Sequence, residues 1–414
     1  MKARPGASAS AVLWIIPAVY FVFVAAEFAL MTHMALQVTA AGRSAFAVGL
    51  LASALWLGIL LASTRAHRLV QRHGHARVFV GASALSVLAT LSAALHGHYA
   101  GWLAGALVLG LGGGLVWVAG EAWLAEAAPA DRRGFFVGLF ETSVGLGLMA
   151  GPALVPLMRW LGQPVPWASV ALMVLALAAS VALLRADAPG SDEGPSEDAS
   201  AAVAPVAWRA LAIPLAGVAA LSGLMEGGVA SLLPSISMRL GFSIEAAAWL
   251  GTVIGAGSAL LQVPAGQLAD RAGVRGTTLL AWLVVLLANG GLWLTAAAPA
   301  PSPVVLWAVG FALGGAGGAV YTLIIIQLGH QLSGGGLVRA IGWLVTAYAV
   351  GTAIGPAAGG AVFDGFGLAG LATLLLLLSV LGLAITWRAL GGSPAPGGTG
   401  SPGGGKAAAG SRRL

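Results

Sequence analysis

The 414-residue chain is 58% hydrophobic and only 8% charged, with a mean hydropathy of +0.92. A soluble domain carries about 25% charged residues to face water, so this composition excludes an ordinary soluble enzyme and leaves most of the surface for lipid. The formal charge of +6 marks loops on one side of a membrane in so apolar a chain, not a nucleic-acid surface, and zero Cys excludes disulfide and thiolate chemistry.

A membrane helix needs about 20 apolar residues. Taken in order, the apolar segments predict twelve spans, near 12–37, 45–64, 77–96, 101–126, 134–158 and 166–184, then 208–235, 244–268, 276–298, 303–328, 337–363 and 366–388. The first follows Lys2 and Arg4 but is too long for a signal sequence and holds Glu27, so it is expected to be a retained helix. With the N-terminus in the cytoplasm, every Lys and Arg except Arg43, Arg159 and Arg239 falls on the cytoplasmic side, four of them (Arg65, Arg68, Arg72 and Arg77) after span two. That asymmetry predicts an even number of spans in a plasma (inner) membrane, with both termini cytoplasmic. Between spans six and seven the acidic stretch "SDEGPSEDAS" cannot build a core. The expected organisation is therefore a six-helix bundle over 1–188, a cytoplasmic linker over 189–206, a second six-helix bundle over 207–390, and a low-complexity, disordered tail over 391–414.

The two halves repeat each other. The loop "GQLADRAGVRG" after span eight, shifted back by 199 residues, falls on "HRLVQRHGHAR" after span two. Arg72 and Gly74 match Arg271 and Gly273, whereas Gln71 stands opposite Asp270. The same shift places Glu27 on Glu226. At a shift of 204, "GLFETSVGLGLMAGP" of span five meets "GWLVTAYAVGTAIGP" of span eleven, aligning Gly147, Gly151 and Pro152 with Gly351, Gly355 and Pro356, and Trp117 with Tyr321. Repeats of this kind are the sequence signature of a duplicated architecture.

The loop containing Gly266, Asp270, Arg271, Gly273 and Arg275 resembles the signature of the major facilitator superfamily between the second and third helices of a half. The pattern in span eleven resembles the glycine-proline motif of drug-proton antiporters, including Gly359 and Gly360. In those proteins the motif lies on helix 5, where this chain has Val155 and Pro156 instead. An arginine found on helix 4 of many proton-coupled members is also absent. The segment "GEAWLAEAAPADRRG" is similar to bacterial uncharacterised or drug-exporter-like members. Covering the chain short of its tail, the resemblance implies an all-α membrane protein of twelve transmembrane helices in two pseudo-symmetric six-helix bundles. It further implies a central site between helices 1, 4, 7 and 10, reached by alternating access.

Four glutamates lie within predicted spans: Glu27, Glu121, Glu141 and Glu226. A charged carboxylate at mid-bilayer costs at least about 2.5–3.5 kcal/mol, so each must be paired or carry a proton. Glu27 and Glu226 are the leading proton or cation-substrate sites; the alternative is a neutral acid capped by a backbone carbonyl. Glu121 and Glu141, nearer the cytoplasmic ends, either share in coupling or pair with Arg68, Arg132 or Arg133. Trp117, Tyr321 and Tyr348 are candidate cavity residues or, alternatively, packing and interface anchors. Gln262 is a further cavity candidate, and it and Asn289 are expected to make interhelical hydrogen bonds. His33 is expected to be interfacial.

A cytoplasmic gate is expected from Gly266 as a close-approach point, Gly273 as a turn, Asp270 at a helix N-terminus and Arg271 as a donor fork to a carboxylate. In the first half Glu126 would pair with Arg68, Arg72 or Arg133 beside Gly74. The alternative is an ordinary exposed hairpin, whose ion pairs stabilise little. Gly147, Gly151, Pro152 and their counterparts predict close helix packing, as do "GLGGGL" and "GGAGGA" within spans four and ten.

No nucleotide-binding loop, HExxH or serine elbow is present. The chain is therefore expected to be no enzyme, to need no cofactor or metal, and to bind no nucleic acid. Its partners would be a small molecule, protons and the bilayer, with the chain acting as a monomer. The preferred reading is proton-coupled efflux of an apolar or cationic compound. Uptake symport, passive facilitation and a non-transporting receptor or scaffold are the alternatives.

Overall fold

The computed structural model describes residues 7–129, 132–185, 205–296, 302–332 and 334–391. The expected tail over 391–414, apart from Gly391 at the end of the last helix, and almost all of the expected linker lie outside the described residues. In the first half, α1 is Ala7–Ala40, α2 Ala45–His73, α3 His75–Leu95, α4 Tyr99–Ala127, α5 Arg133–Trp160 and α6 Val165–Val181. In the second, α7 covers 205–239, α8 Ile244–Ala272, α9 Val274–Ala296 and α10 Pro303–Gln331. The run Gly334–Gly391 breaks at Gly367, where φ is 65° and ψ −162°, giving α11 over 334–366 and α12 over 368–391. With that run counted as two, twelve helices long and apolar enough to cross a membrane stand among the described residues, with no strand.

Helix ends differ from the predicted spans where apolar sequence and helical backbone part company. The second span was expected to stop at 64, yet α2 runs on to His73. Arg, Gln and Leu there sustain a helix in water as readily as in lipid, and the helix stops only at Gly74, whose φ of 80° ends it. Gly273, with φ 86°, ends α8 in the same way.

Glycine contacts carry the duplication into three dimensions. A Cβ on Gly58 of α2 would collide with the Leu107 carbonyl of α4, and one on Gly257 of α8 would collide with the Phe311 carbonyl of α10. Reciprocally, Gly110 lies against Leu55 and Gly314 against Ile254. Every member of the first set maps onto the second by a shift of 199 on α2 or 204 on α4. Gly147 and Gly151 of α5 likewise abut Val24 and Ala25 of α1, while Gly351 and Gly355 of α11 abut Ala220 and Leu224 of α7. These glycines do form the expected packing faces. Gly138 and Gly342, which open the same motif, have free space where a Cβ would go, so close approach involves only the inner part of the pattern.

Two seams join the bundles. At α2–α11, Gly49 lies against the Pro356 carbonyl, and the Ala357 N–H donates to Ser53 Oγ at 3.3 Å. At α5–α8, Gly251 meets Pro152, and Gly255 meets the backbone of Leu148 and Met149. Pro152 and Pro356 therefore stand at the seams between bundles rather than only within one.

Candidate functional site

α7 is not a regular helix. It is α-helical over Pro205–Gly223, widens to a π-turn over Leu224–Gly228, tightens to a 3-10 turn over Val229–Leu232 and resumes as Leu233–Arg239. A π-turn inserts extra backbone and a 3-10 turn takes it back, so the irregularity is confined to the few residues around Glu226. α10 has its own π-turn at Leu313–Gly317, facing this point. Ser222 Oγ donates to the Gly317 carbonyl at 2.8 Å, tying the two irregular segments together.

Glu226 sits where they meet. Its Oε2 accepts a hydrogen bond from Tyr348 Oη of α11 at 2.7 Å. Its Oε1 lies over Gly318 of α10, where a Cβ would be only 2.6 Å away, with Gln262 Nε2 of α8 beside the same point. The ring of Tyr321 lies 4.5 Å from that of Tyr348. Glu226, Tyr321, Tyr348 and Gln262, all candidates from the sequence, are therefore one cluster. Gln262 nevertheless donates to Ser258 Oγ of its own helix at 3.2 Å, correcting the expected interhelical bond. Asn289 does bond between helices, to Ser379 Oγ at 3.1 Å.

The N-terminal bundle contributes two carboxylates within electrostatic range of this cluster. Glu121 of α4 and Glu141 of α5 bear electrostatically on Tyr321, and Glu141 bears on Tyr348 as well. Glu121 faces the indole of Trp117, one turn earlier on α4. Glu141 is exposed and Glu121 half-buried. Arg132 was a possible structural partner for them, but its guanidinium lies over the rings of Phe135 and Phe136, at 5.4 and 5.6 Å.

Glu27 differs from its counterpart. It is 5% exposed, on an uninterrupted α1, and its Oε1 has no hydrogen-bond partner among the described residues. That oxygen faces Gly113 of α4 beside Phe23. The glycine runs of α4 and α10 thus do more than pack helices. At Gly113 and Gly318 they make room for carboxyl groups, a use that the sequence reading did not assign to them.

At the face opposite the termini, three contacts close the gap between bundles. Asp364, at the end of α11, accepts from the Ala45 and Phe46 N–H groups at the start of α2, both at 2.8 Å. Arg159 of α5 donates to Glu245 of α8 at 2.8 Å. Arg239 donates to the Arg43 carbonyl. Sequence reasoning missed Asp364 and Glu245. For Glu245 the available signal was its place in the first turn of α8, where a carboxylate is favoured; Asp364 caps a helix start more than 300 residues away and left no local signal. His33 lines a cavity of about 180 Å³ at this face with Gln37, Arg159 and Gln163.

The expected gate at the other face is not assembled. Among the described residues no ion pair joins Asp270, Arg271 or Arg72 to the opposite bundle, and all three are exposed. Glu126 pairs with His75 at 3.7 Å, not with Arg68 or Arg72 as expected, and the side chain of Arg133 lies outside the described residues. Gly266 has open space around it rather than a close neighbour. Arg275 belongs to the packing of its own bundle, its guanidinium 4.3 Å from the Trp387 ring centre. Gly74 and Gly273 are the turns foreseen for them.

The family model for the Major Facilitator Superfamily matches residues 16–216 and again residues 215–412. The chain belongs to that superfamily. It is similar to the uncharacterized MFS-type transporter YfkF of Bacillus subtilis (strain 168), 28% identical over 84% of this chain and 87% of that protein. It is also similar to the uncharacterized MFS-type transporter YcaD of Escherichia coli O139:H28, 25% identical over 85% and 89%. Among solved structures, a D-xylose-proton symporter superposes with a TM-score of 0.74 at 14% identity, over 92% of this chain and 97% of that one. The nucleoside transporter NupG gives 0.68 at 12%, over 92% and 98%. These likenesses show the fold. As a member of the superfamily, the protein is a multi-pass secondary transporter rather than an enzyme.

Proposed function

We propose that this transporter couples protons to the efflux of a small organic cation or apolar compound across the plasma (inner) membrane, with both termini in the cytoplasm. The observation that carries the reading is the cluster of Glu226, Tyr348, Tyr321 and Gln262, with Glu121 and Glu141 of the other bundle within electrostatic range of its tyrosines. Carboxylates select cations over anions, and aromatic faces add cation–π attraction of about 0.5–2 kcal/mol per contact. Lys and Arg, which would favour an anion, stand near helix ends and not at this level.

Glu226 changes partner between proton, Tyr348 and cargo as the bundles rock. Glu27, sealed against Gly113, takes up or releases a proton when its bundle tilts. The contacts at Asp364, Arg159 and Arg239 hold the outer face shut, leaving the site to load from the cytoplasmic side. On the reverse stroke they part, while Asp270 and Arg271 find partners across the cytoplasmic face.

Everted vesicles acidified inside, with ethidium as the probe, test the direction: efflux coupling drives dye inward, and Glu27→Gln and Glu226→Gln abolish that flux. Dye accumulation that ignores both substitutions overturns the coupling assignment. Proton symport is a second reading, favoured by the fold shared with the D-xylose-proton symporter. It predicts that the same gradient drives its substrate outward.

A further inference from the structure

We infer that Trp56 of α2 is a positioning residue for Glu226, acting across the boundary between the bundles through Gly227 of the π-turn. The inference rests on the proposed reading of Glu226 as the coupling acid.

Trp56 ends a strip that the α2–α11 seam already uses. Ala45, Gly49, Ser53 and Trp56 fall within about 80° of one another around α2, at 100° per residue. The Ala45 N–H donates to Asp364, Gly49 lies against Pro356, and Ser53 accepts from Ala357. The strip thus descends from the face opposite the termini, and Trp56, half-buried, is its innermost member. There the contact passes from α11 to α7. A Cβ on Gly227 would stand 3.5 Å from Trp56 Cζ2 and 2.5 Å from Thr352 Cγ2. Gly227 adjoins Glu226 within the π-turn, and only a residue without a side chain lets both neighbours close on it.

The two sides of the π-turn are held by different bundles. Among the nearest neighbours of Gly223, Gly227 and Gly228, Tyr348, Thr352 and Gly355 come from α11 of the same bundle, and only Trp56 comes from the other. Thr352 is fully buried one turn from Tyr348, whose hydroxyl holds Glu226. When the bundles part at this face, α11 travels with α7 while the indole withdraws. A π-turn is an uncommon backbone state that packing must hold, so loss of the indole frees the peptide beside Glu226. The carboxyl then turns from Tyr348 toward a proton or cargo.

The repeat limits this device to one acid. At the shift of 199, Trp56 falls on Gly255 and Gly227 on Phe28. Large and small have exchanged places: glycine follows the acid on α7, whereas phenylalanine follows it on α1. At the second seam Gly255 lies directly on the backbone of Leu148, the equivalent of Thr352. Backbone takes the seat of the indole there, and α1 passes Glu27 as a regular helix.

The test reads the Tyr348 hydroxyl in the full-length protein, in nanodiscs, with fluorotyrosine in place of tyrosine. The chain has four tyrosines, so the fluorine spectrum is simple and Tyr348→Phe identifies the resonance that matters. Glu226→Leu marks where that resonance lies without its partner. Trp56→Leu, which keeps apolar bulk but cannot reach Gly227, should move the resonance toward that position. The resonance of Tyr20, which stacks on Phe140 at 4.6 Å in the first bundle, should stay. An unmoved Tyr348 resonance overturns the inference, as does an equal movement of Tyr20, which would indicate general loosening. The unfolding midpoint in detergent checks that Trp56→Leu folds; if it does not, Trp56→Phe is read in its place, since a single ring lacks the edge that meets Gly227. In everted vesicles Trp56→Leu should lower proton-driven ethidium flux severalfold, and an unaltered flux where Glu226→Gln abolishes it also overturns the inference. If Glu226→Gln itself leaves the flux intact, the coupling reading fails, while the fluorine resonance still decides whether Trp56 positions Glu226.

Discussion

Glu27 and Glu226 occupy matching positions in the two bundles, yet their surroundings have diverged. α1 passes Glu27 as an unbroken helix, and the carboxyl is shut in against Gly113 with one oxygen unpartnered. α7 widens into a π-turn at Glu226, which is only half-buried and is held by the Tyr348 hydroxyl. A π-turn changes the direction in which its residues project without moving the helix as a whole. Duplication thus supplied a pair of acids at one depth, and local backbone geometry separated their environments. The lesson is that equivalent residues in a repeat inherit a location, while hydrogen-bond partners and access are set afterwards by what each helix packs against.

The strongest way to probe the shared part of that comparison is to fill its glycine contacts. Gly58→Val and Gly257→Val each force a branched side chain into a neighbouring carbonyl. Both should destabilise by about 3 kcal/mol through overpacking, seen as a lowered unfolding midpoint in detergent. Gly138→Ala and Gly342→Ala, made where space is open, should instead gain about 0.5–1 kcal/mol from reduced chain entropy. A large loss in one half and none in the other would contradict equivalent packing.

The divergent part is sharpened by removing each acid. Glu226→Leu leaves the Tyr348 hydroxyl without its partner and should cost about 1–3 kcal/mol. Glu27→Leu deletes a carboxyl whose buried oxygen bonds to nothing, so unfolding stability should hold or rise. Similar losses for the two would mean that their environments are alike after all.

Smaller effects belong to the closed face, which sets Asp364 against Arg159. Asp364 caps two backbone N–H groups with one carboxylate, and Asp364→Asn should weaken closure by about 1–2 kcal/mol. Arg159 and Glu245 are each 46% exposed, and Arg159→Gln should change closure by about 0–1 kcal/mol. Spin-label pairs spanning α2 and α11 would report both as a rise in the separated population. A larger response to Arg159→Gln than to Asp364→Asn would reverse the ranking of these contacts.

How much could be read from the sequence varied with how local the determining interaction is. Span positions were legible because crossing hydrocarbon needs a long apolar run. The repeat was legible because glycine and proline recur at fixed spacing. Helix ends were less so: α2 continues about two and a half turns past its apolar run because lipid exposure and helical backbone answer to different constraints. The cluster of Glu226, Tyr348, Tyr321 and Gln262 was readable as candidates but not as neighbours, since four helices separated in sequence bring them together. The expected partners of Glu126 and Gln262 were wrong for a related reason. A side chain's partner depends on rotation and on the nearest competing group, here His75 and Ser258.

The sequence by itself determined that the chain is a lipid-embedded, duplicated helical protein with acids buried at matched levels. Hydrophobic transfer and the spacing of small residues act through composition and periodicity, which survive in one dimension. Only the tertiary structure decided that the face opposite the termini is shut by Asp364 and Arg159, and that Asp270 and Arg271 stand free of the other bundle. It alone decided that Glu226 has a hydroxyl partner while a buried oxygen of Glu27 has none. Those outcomes depend on which helix ends meet across the interface, and on a one-residue widening of α7 that no hydropathy pattern records.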